Sequence, residues 1–298
     1  MNSSRIFSVI IPVYNDPDGI EQTLQSLVRQ KNAPNYEIIV VDNDSTDETP
    51  RVIEKFEENY PKLVFGYSET EIQGSYAARN TGIEHASGDL LAFVDADVTV
   101  EDTWVADIHE RFQNSDVDYL GCNVEMYIPD GENTFWAQYD VTMGLPVEHY
   151  LETKQFVPTC ALVVCSEVFE QLNQFDESLV SGGDKEFGRR VNKTGLTMEY
   201  AGDIVTRHPA RSTFCNHVKK ATRIGKGQTQ LWKRHDLASH PASPVKLFPP
   251  NPSRVKSRFK EETGIIFIYF TVWFFKMVQT TSSVRKLIQI RITNHNGN

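Results

Sequence analysis

The chain is predicted to be an α/β protein with a mostly parallel central sheet covered by helices, plus a C-terminal basic, aromatic helical tail. Three observations carry this expectation. Short apolar runs alternate with segments of helical periodicity through residues 8–94. Three of those runs stop in polar clusters. The last third replaces the alternation with basic residues and one long aromatic run. A strand–helix–strand rhythm gives a parallel sheet buried on both faces.

The elements follow in order. Residues 8–13 (SVIIPV) read as a buried strand ending near Asn15. Residues 18–30 set Ile20, Leu24, Leu27 and Val28 at helical spacing. Residues 37–41 (EIIVV) form a second buried strand, stopped by Asp42-Asn43-Asp44-Ser45. A helix over 46–59 has an acidic first turn that suits its dipole, with Ser45, Thr46 or Asp47 as its cap. Residues 63–67 are a third strand, 76–86 a helix, and 90–94 (LLAFV) a fourth strand running into Asp95-Ala96-Asp97. Ligands of such sheets sit at the carboxyl ends of the strands. That places Asn15, Asp42, Asp95 and Asp97 along one edge.

Beyond residue 118 the pattern is less regular. Residues 156–165 read as a strand, 166–172 as a helix capped by Ser166, and 184–192 as a short helix after Ser181-Gly182-Gly183. Five prolines between 237 and 252 indicate an extended linker.

Composition narrows the class. With 298 residues, 40% apolar and 23% charged, the chain is neither disordered nor collagen-like. Four cysteines without a C-x-x-C pair exclude a zinc ribbon and a dense disulfide framework, and read as reduced core thiols of a cytoplasmic protein. The apolar run before Pro12 is too short for a signal-peptide core.

The net charge of −10 hides a split. Residues 1–206 carry 13 Lys/Arg against 37 Asp/Glu, and residues 207–298 carry 17 against 3, leaving −24 and +14. A basic tail on an acidic body points to an anionic partner, or to the tail docking on the body. Residues 265–275 (IIFIYFTVWFF) fall short of the roughly 20 residues a membrane span needs. Their aromatics lie between Arg254, Lys256, Arg258 and Lys260 on one side and Lys276, Arg285 and Lys286 on the other, which suits a helix lying among lipid headgroups. A buried C-terminal core helix is the alternative.

Three acidic sites suggest chemistry. In Asp95-Ala96-Asp97, residues two apart on extended chain face one side, and two carboxylates so close favour a bridging divalent cation such as Mg²⁺ or Mn²⁺. Asp42 and Asn43 offer hydrogen bonds to a base or ribose. Asp184, after two glycines, is placed to take a proton from an incoming hydroxyl. Each site has a structural alternative: a solvated turn, plain turn capping, and a helix start with Glu186 and Arg190 paired at i,i+4.

Together, VIIPVYN (9–15), VVDNDSTDET (40–49), GSYAARNTG (74–82), ASGDLLAFVDADV (86–98) and FDESLVSGGDKEFGRRV (175–191) resemble the inverting nucleotide-sugar glycosyltransferases of family 2 over residues 6–210. The resemblance implies the Rossmann-like glycosyltransferase A fold. Taken with the prolines and the basic, aromatic tail, the chain is expected to divide into a catalytic domain at 1–236, a Pro-rich linker at 237–253 and a membrane-interface tail at 254–298. Residues 1–118 would be the nucleotide-sugar half and 119–236 the acceptor half.

The resemblance also implies roles. Pro12, Tyr14 and Asn15 line the base and ribose pocket. Asp42 and Asn43 read the base, Asn43 standing where the family has a second Asp. Arg79 positions the donor, and Asp95 reaches its ribose or diphosphate. Asp97 binds Mg²⁺ or Mn²⁺, with His208 as a further ligand. Asp184 is the catalytic base, with Gly183 where the family has Glu. From charge alone, outside the resemblance, Lys219, Lys220, Arg223 and Lys226 are expected to add positive charge for the leaving diphosphate or to hold a phosphate on the acceptor.

The implied reaction moves a sugar from a nucleotide-diphosphate donor to a hydroxyl of a glycan or polyprenyl-phosphate-linked acceptor, at the inner face of the cell membrane. Nucleic acid is not an expected partner, because the −24 body repels it. The alternatives are a sugar nucleotidyltransferase, which would carry a Gly-rich basic loop after the first strand, and a non-catalytic nucleotide-sugar binding protein. A dehydrogenase is disfavoured because no G-x-G-x-x-G follows a strand.

Overall fold

The computed structural model describes residues 7–252 and 265–295. Arg254, Lys256, Arg258 and Lys260 of the expected tail lie outside the described residues. The elements run β1 (Phe7–Val13), α1 (Pro17–Leu27), β2 (Tyr36–Asp42), α2 (Thr49–Asn59), β3 (Val64–Ser68), α3 (Ser75–His85), β4 (Leu90–Phe93), β5 (Thr99–Val100) and α4 (Trp104–Asn114). Then come β6 (Tyr119–Tyr127), α5 (Phe135–Met143), α6 (Val147–Lys154), β7 (Leu162–Cys165), α7 (Ser166–Leu172), α8 (Gly183–Thr194), β8 (Met198–Pro209), α9 (Phe214–His235) and α10 (Ile265–His295).

Eight strands form one sheet in the order β3-β2-β1-β4-β7-β6-β8-β5. The strands β3, β2, β1 and β4 are parallel, with Val9 level with Ile38 and Ala92. β7 then runs antiparallel to both β4 and β6, and β5 antiparallel to β8. β1, β2 and β4 are largely apolar because helices cover both faces, and every residue of β1 is buried, including Ser8, which donates to Glu37.

Pro12 in this central strand is tolerated for a specific reason. The Ile10 carbonyl accepts from Val94 N, so the even-numbered backbone groups of β1 face β4. The β1–β4 ladder ends at Ile10–Phe93, so the missing N–H of Pro12 falls where no partner strand remains.

Several local expectations are corrected. α2 begins at Thr49, three residues later than expected, with no acid in its first turn. Asp47 stays outside and accepts from Thr49 N. The strand expected over 156–165 is only β7, because Thr159–Ala161 forms a 3₁₀ turn. Ser166 is the first helical residue of α7, and no side chain caps that helix. Cys122 and Cys160 are buried thiols, whereas Cys215 is exposed on α9.

The chain divides into two compact units. The first comprises residues 1–125, 145–178 and 183–209, and holds almost all of the sheet. The second comprises 126–144, 179–182 and 210–298.

In the second unit α9 and α10 approach closely at Gly225, where a Cβ would stand 2.2 Å from the Gln279 carbonyl oxygen. Ser283 Oγ donates to Gly225 O at 2.7 Å, and Thr229 Oγ1 to Ser283 O at 2.8 Å. Tyr139, Ala221 and Phe275 form its buried core. Beside that core the buried Asp140 carboxylate meets Arg211 at 3.2 Å and Lys220 at 3.3 Å. Lys220 is therefore committed to an ion cluster and is not an open phosphate contact.

The Pro-rich segment contains a 3₁₀ turn, Pro244–Leu247, and is strapped to α10 by Trp273 Nε1 and Lys276 Nζ, which donate to the Leu247 and Phe248 carbonyls. No described helix is long and apolar enough to cross a membrane.

Candidate active site

The site lies in the first unit, at the carboxyl ends of β1, β2 and β4. β4 delivers Asp95 and Asp97, and α1 fixes the turn that carries them. Thr23 Oγ1 lies 2.9 Å from the Ala96 carbonyl and 2.7 Å from that of Val98, so one buried hydroxyl braces the backbone on both sides of Asp97. β8 brings in His208 from far along the chain. One ligand atom each from Asp95, Asp97 and His208 lie within 4.8 Å of one another.

His208 is buried, and its Nδ1 lies 2.9 Å from the Pro209 carbonyl. A carbonyl only accepts, so Nδ1 carries the proton and Nε2 keeps the lone pair. A ring held this way is oriented as metal-ligating imidazoles are. Two carboxylates and an imidazole therefore meet the donor chemistry of a divalent cation. Asp95 belongs with this group as well as with the donor side where it was expected.

α3 supplies the next layer. Arg79 is buried and donates through Nη2 to Asp95 Oδ1 at 2.5 Å and through Nη1 to Ser75 O at 3.1 Å. Its Nε is buried with no hydrogen-bond partner among the described residues. A buried guanidinium N–H left without an acceptor carries a desolvation cost.

Tyr76, one turn earlier on the same face, carries the Arg79 guanidinium 5.7 Å from its ring centre. The Tyr76 phenol lies 3.5 Å from Asp184 Oδ1 and 3.4 Å from the Asp184 amide. Asp184 sits in the first turn of α8, where the helix dipole favours a carboxylate, and accepts from Lys185 N at 2.8 Å. A Cβ on Gly183 would stand 2.8 Å from the Tyr76 ring, so there is no room for the acidic side chain expected there from the family pattern.

Glu186 and Arg190 do pair, at 2.8 Å, and the guanidinium also donates to backbone carbonyls of residues 172–174. The buried Cys160 thiol reports the convergence: burial, then the charges of Asp95 and Asp97, push it up, Arg79 opposes them, and Asp184 adds to the rise.

The β1 and β2 loops lock together beside this group. Asn15, at a left-handed φ of 49°, accepts from Thr46 N through Oδ1, and its own N–H donates to Ser45 Oγ. Asp42 ends β2 and accepts from Ser45 N. Tyr14 is about half exposed at the end of β1.

Two expectations change. Pro12 is buried within β1 and presents little surface to a base or ribose. Asn43 presents no spare amide to a base: Nδ2 donates to Glu69 O and Ile72 O, and Oδ1 accepts from Gly74 N at 2.6 Å. It clamps the loop leading into α3. Asp16 was not foreseen. Burial first, and then the neighbouring Asp97 charge, hold its carboxyl above the ordinary range against the opposing hydrogen bond from Gly19. Tyr76 and Thr23 were also missed, although the three-residue spacing of Tyr76 and Arg79 was visible.

The family profile described as Glycosyl transferase family 2 matches residues 8–170. The chain belongs to that family. Glycosyltransferase AglE of Haloferax volcanii is 35% identical over 263 residues, spanning 86% of each chain. This family 2 glycosyltransferase also shares its fold with solved structures.

The mannosyltransferase PcManGT from Pyrobaculum calidifontis, solved with GDP-Man and Mn²⁺, superposes with a TM-score of 0.64 at 19% identity, covering 94% of this chain and 86% of that one. S. aureus TarS in complex with UDP-GlcNAc gives 0.58 at 19% identity, covering 93% and 90%. The fold is the expected glycosyltransferase A type.

Proposed function

We propose that this enzyme transfers a sugar, with inversion, from a nucleotide-diphosphate donor to a hydroxyl of a glycan or lipid-linked glycan at the inner face of the cell membrane. The observation that carries the reading is the linked series Asp184–Tyr76–Arg79–Asp95, which joins the candidate base to the carboxylate cluster within one unit.

In this reading Tyr14, Asn15 and Asp42 hold the base and ribose, with Asn43 fixing the loop beside them. Arg79 positions the donor side of the site through its Nη2 contact with Asp95. Asp184 accepts the proton of the acceptor hydroxyl as that oxygen attacks the anomeric carbon opposite the departing phosphate, which inverts the centre. A positioned base of this kind contributes about 10²–10⁴ in rate. Asp95, Asp97 and His208 would hold Mg²⁺ or Mn²⁺, which when bound supplies positive charge for the leaving diphosphate.

The two neighbours named above carry different donors, so the donor is found by screening. A thermal-shift panel of nucleotide sugars with and without Mn²⁺ should single out one class that stabilises only with the cation. NMR of the transfer product should then show the opposite anomeric configuration. A product of retained configuration would refute the mechanism.

A further inference from the structure

The outward face of α10 plays no part in the chemistry above. Phe267, Phe270, Phe274, Arg285, Ile288 and Ile292 recur on one helical stripe and are all exposed, the apolar ones by 47% or more. The stripe is about 38 Å long at 1.5 Å per residue. The opposite face, with Phe275, Ser282, Ser283 and Leu287, is buried within the second unit. The strap beside it exposes Val245, Leu247 and Phe248, although its backbone is fastened to α10.

A groove of about 550 Å³ between α9 and α10 joins this face at Phe274. Met277 and Val278 give it apolar walls, and Lys226, Arg285 and Lys286 give it charge. None of the three cations has a carboxylate partner among the described residues.

Two occupants suit exposed aromatics of this extent: a second copy or a lipid surface. Charge separates them. Residues 207–298 hold 17 Lys/Arg against 3 Asp/Glu, so a symmetric pairing of this face would set cation against cation. An anionic bilayer takes the aromatics at headgroup depth and neutralises the cations. The absence of a spanning helix among the described residues fits a helix lying along the surface.

We propose that the outer face of α10 and the 245–248 strap seat on an anionic bilayer, with the groove of Lys226, Arg285 and Lys286 receiving a lipid phosphate headgroup. This rests on the membrane-surface part of the proposed function and on none of its transfer chemistry.

The test is flotation of the full chain with phosphatidylcholine vesicles, with and without phosphatidylglycerol. Flotation is expected only with the anionic lipid, and it should weaken with salt. Reversing the three cations (Lys226→Glu, Arg285→Glu, Lys286→Glu) should weaken binding roughly 100-fold, at about a factor of ten or less per charge. Phe267→Ser with Phe270→Ser and Phe274→Ser should abolish flotation while leaving the donor-induced thermal shift intact.

Equal binding to uncharged vesicles, or flotation unchanged in both triple variants, overturns the proposal. So does protection by inorganic phosphate without vesicle binding. Light scattering that shows a dimer dissolved by the phenylalanine variants would assign the face to self-association instead. Loss of flotation with normal transfer would leave the catalytic reading standing.

Discussion

The Tyr76 phenol bridges the backbone amide and the carboxylate of Asp184, at 3.4 and 3.5 Å, from a residue 108 positions away in sequence. Its ring lies against Gly183, and its neighbour one turn on, Arg79, holds Asp95. The candidate base and the acidic cluster therefore share one support.

Asp184→Asn keeps the size of the side chain and one oxygen to accept from Tyr76 and Lys185 N, but cannot accept the acceptor's proton. Transfer should fall by about 10²–10⁴ while donor affinity, read by calorimetry, stays within a few-fold. Near-normal turnover would remove Asp184 from the mechanism.

Gly183 is needed for its lack of a side chain. Gly183→Ala puts a methyl 2.8 Å from the Tyr76 ring and forces the ring or α8 to move. Overpacking of this kind costs about 1–3 kcal/mol in urea denaturation, and a displaced Tyr76 should lower kcat as well. An unperturbed midpoint with full activity would show that the contact is soft.

Asp97→Ala should abolish the rise in melting temperature produced by Mn²⁺, because it removes one of three converging ligands. The wild-type rise should grow with the logarithm of cation concentration above saturation. An equal rise in the variant would place the cation elsewhere.

Thr23→Val replaces a buried hydroxyl by a methyl and takes the donor from the Ala96 and Val98 carbonyls. A loss of about 1–3 kcal/mol is expected, together with a weaker Mn²⁺ response, since the turn carrying Asp97 loses its brace. A stability loss with an unchanged Mn²⁺ response would make Thr23 purely structural.

The second unit should be sensitive to acid. Burial chiefly pulls His217 below its ordinary 6.5, and Asp140 only partly offsets this. The unfolded chain then binds the proton more readily, so stability is full above pH 6.5 and declines as pH falls below it. Burial raises Asp140, but Lys220, the Arg211 amide and side chain, and His217 outweigh it and hold the carboxyl below the ordinary 3.8, so a second loss follows at lower pH. In chemical denaturation between pH 7 and 5, His217→Gln should show a shallower decline than wild type. Identical slopes would count against this assignment.

The parallel half of the sheet was readable because its signals are local. Runs such as SVIIPV and EIIVV are apolar because both faces are buried, and their polar ends mark the ligand edge. The carboxylates Asp42, Asp95 and Asp97 could be placed for the same reason. The expected sequence span of β7 failed because four strand residues followed by a helix leave little periodicity. Asn43 shows the limit at the site. Its residue type suits a base contact, but its three partners lie 26 to 31 residues on, in a loop whose path only folding determines.

Local patterning in the amino acids thus settled the family, the order of the early strands and helices, and which acids stand at strand ends, since each depends on neighbours a few positions away. Folding settled the partners. His208 joins Asp95 and Asp97, Tyr76 reaches Asp184, and α10 buries Phe275 while exposing Phe274, because each of these depends on which distant surface the chain packs against.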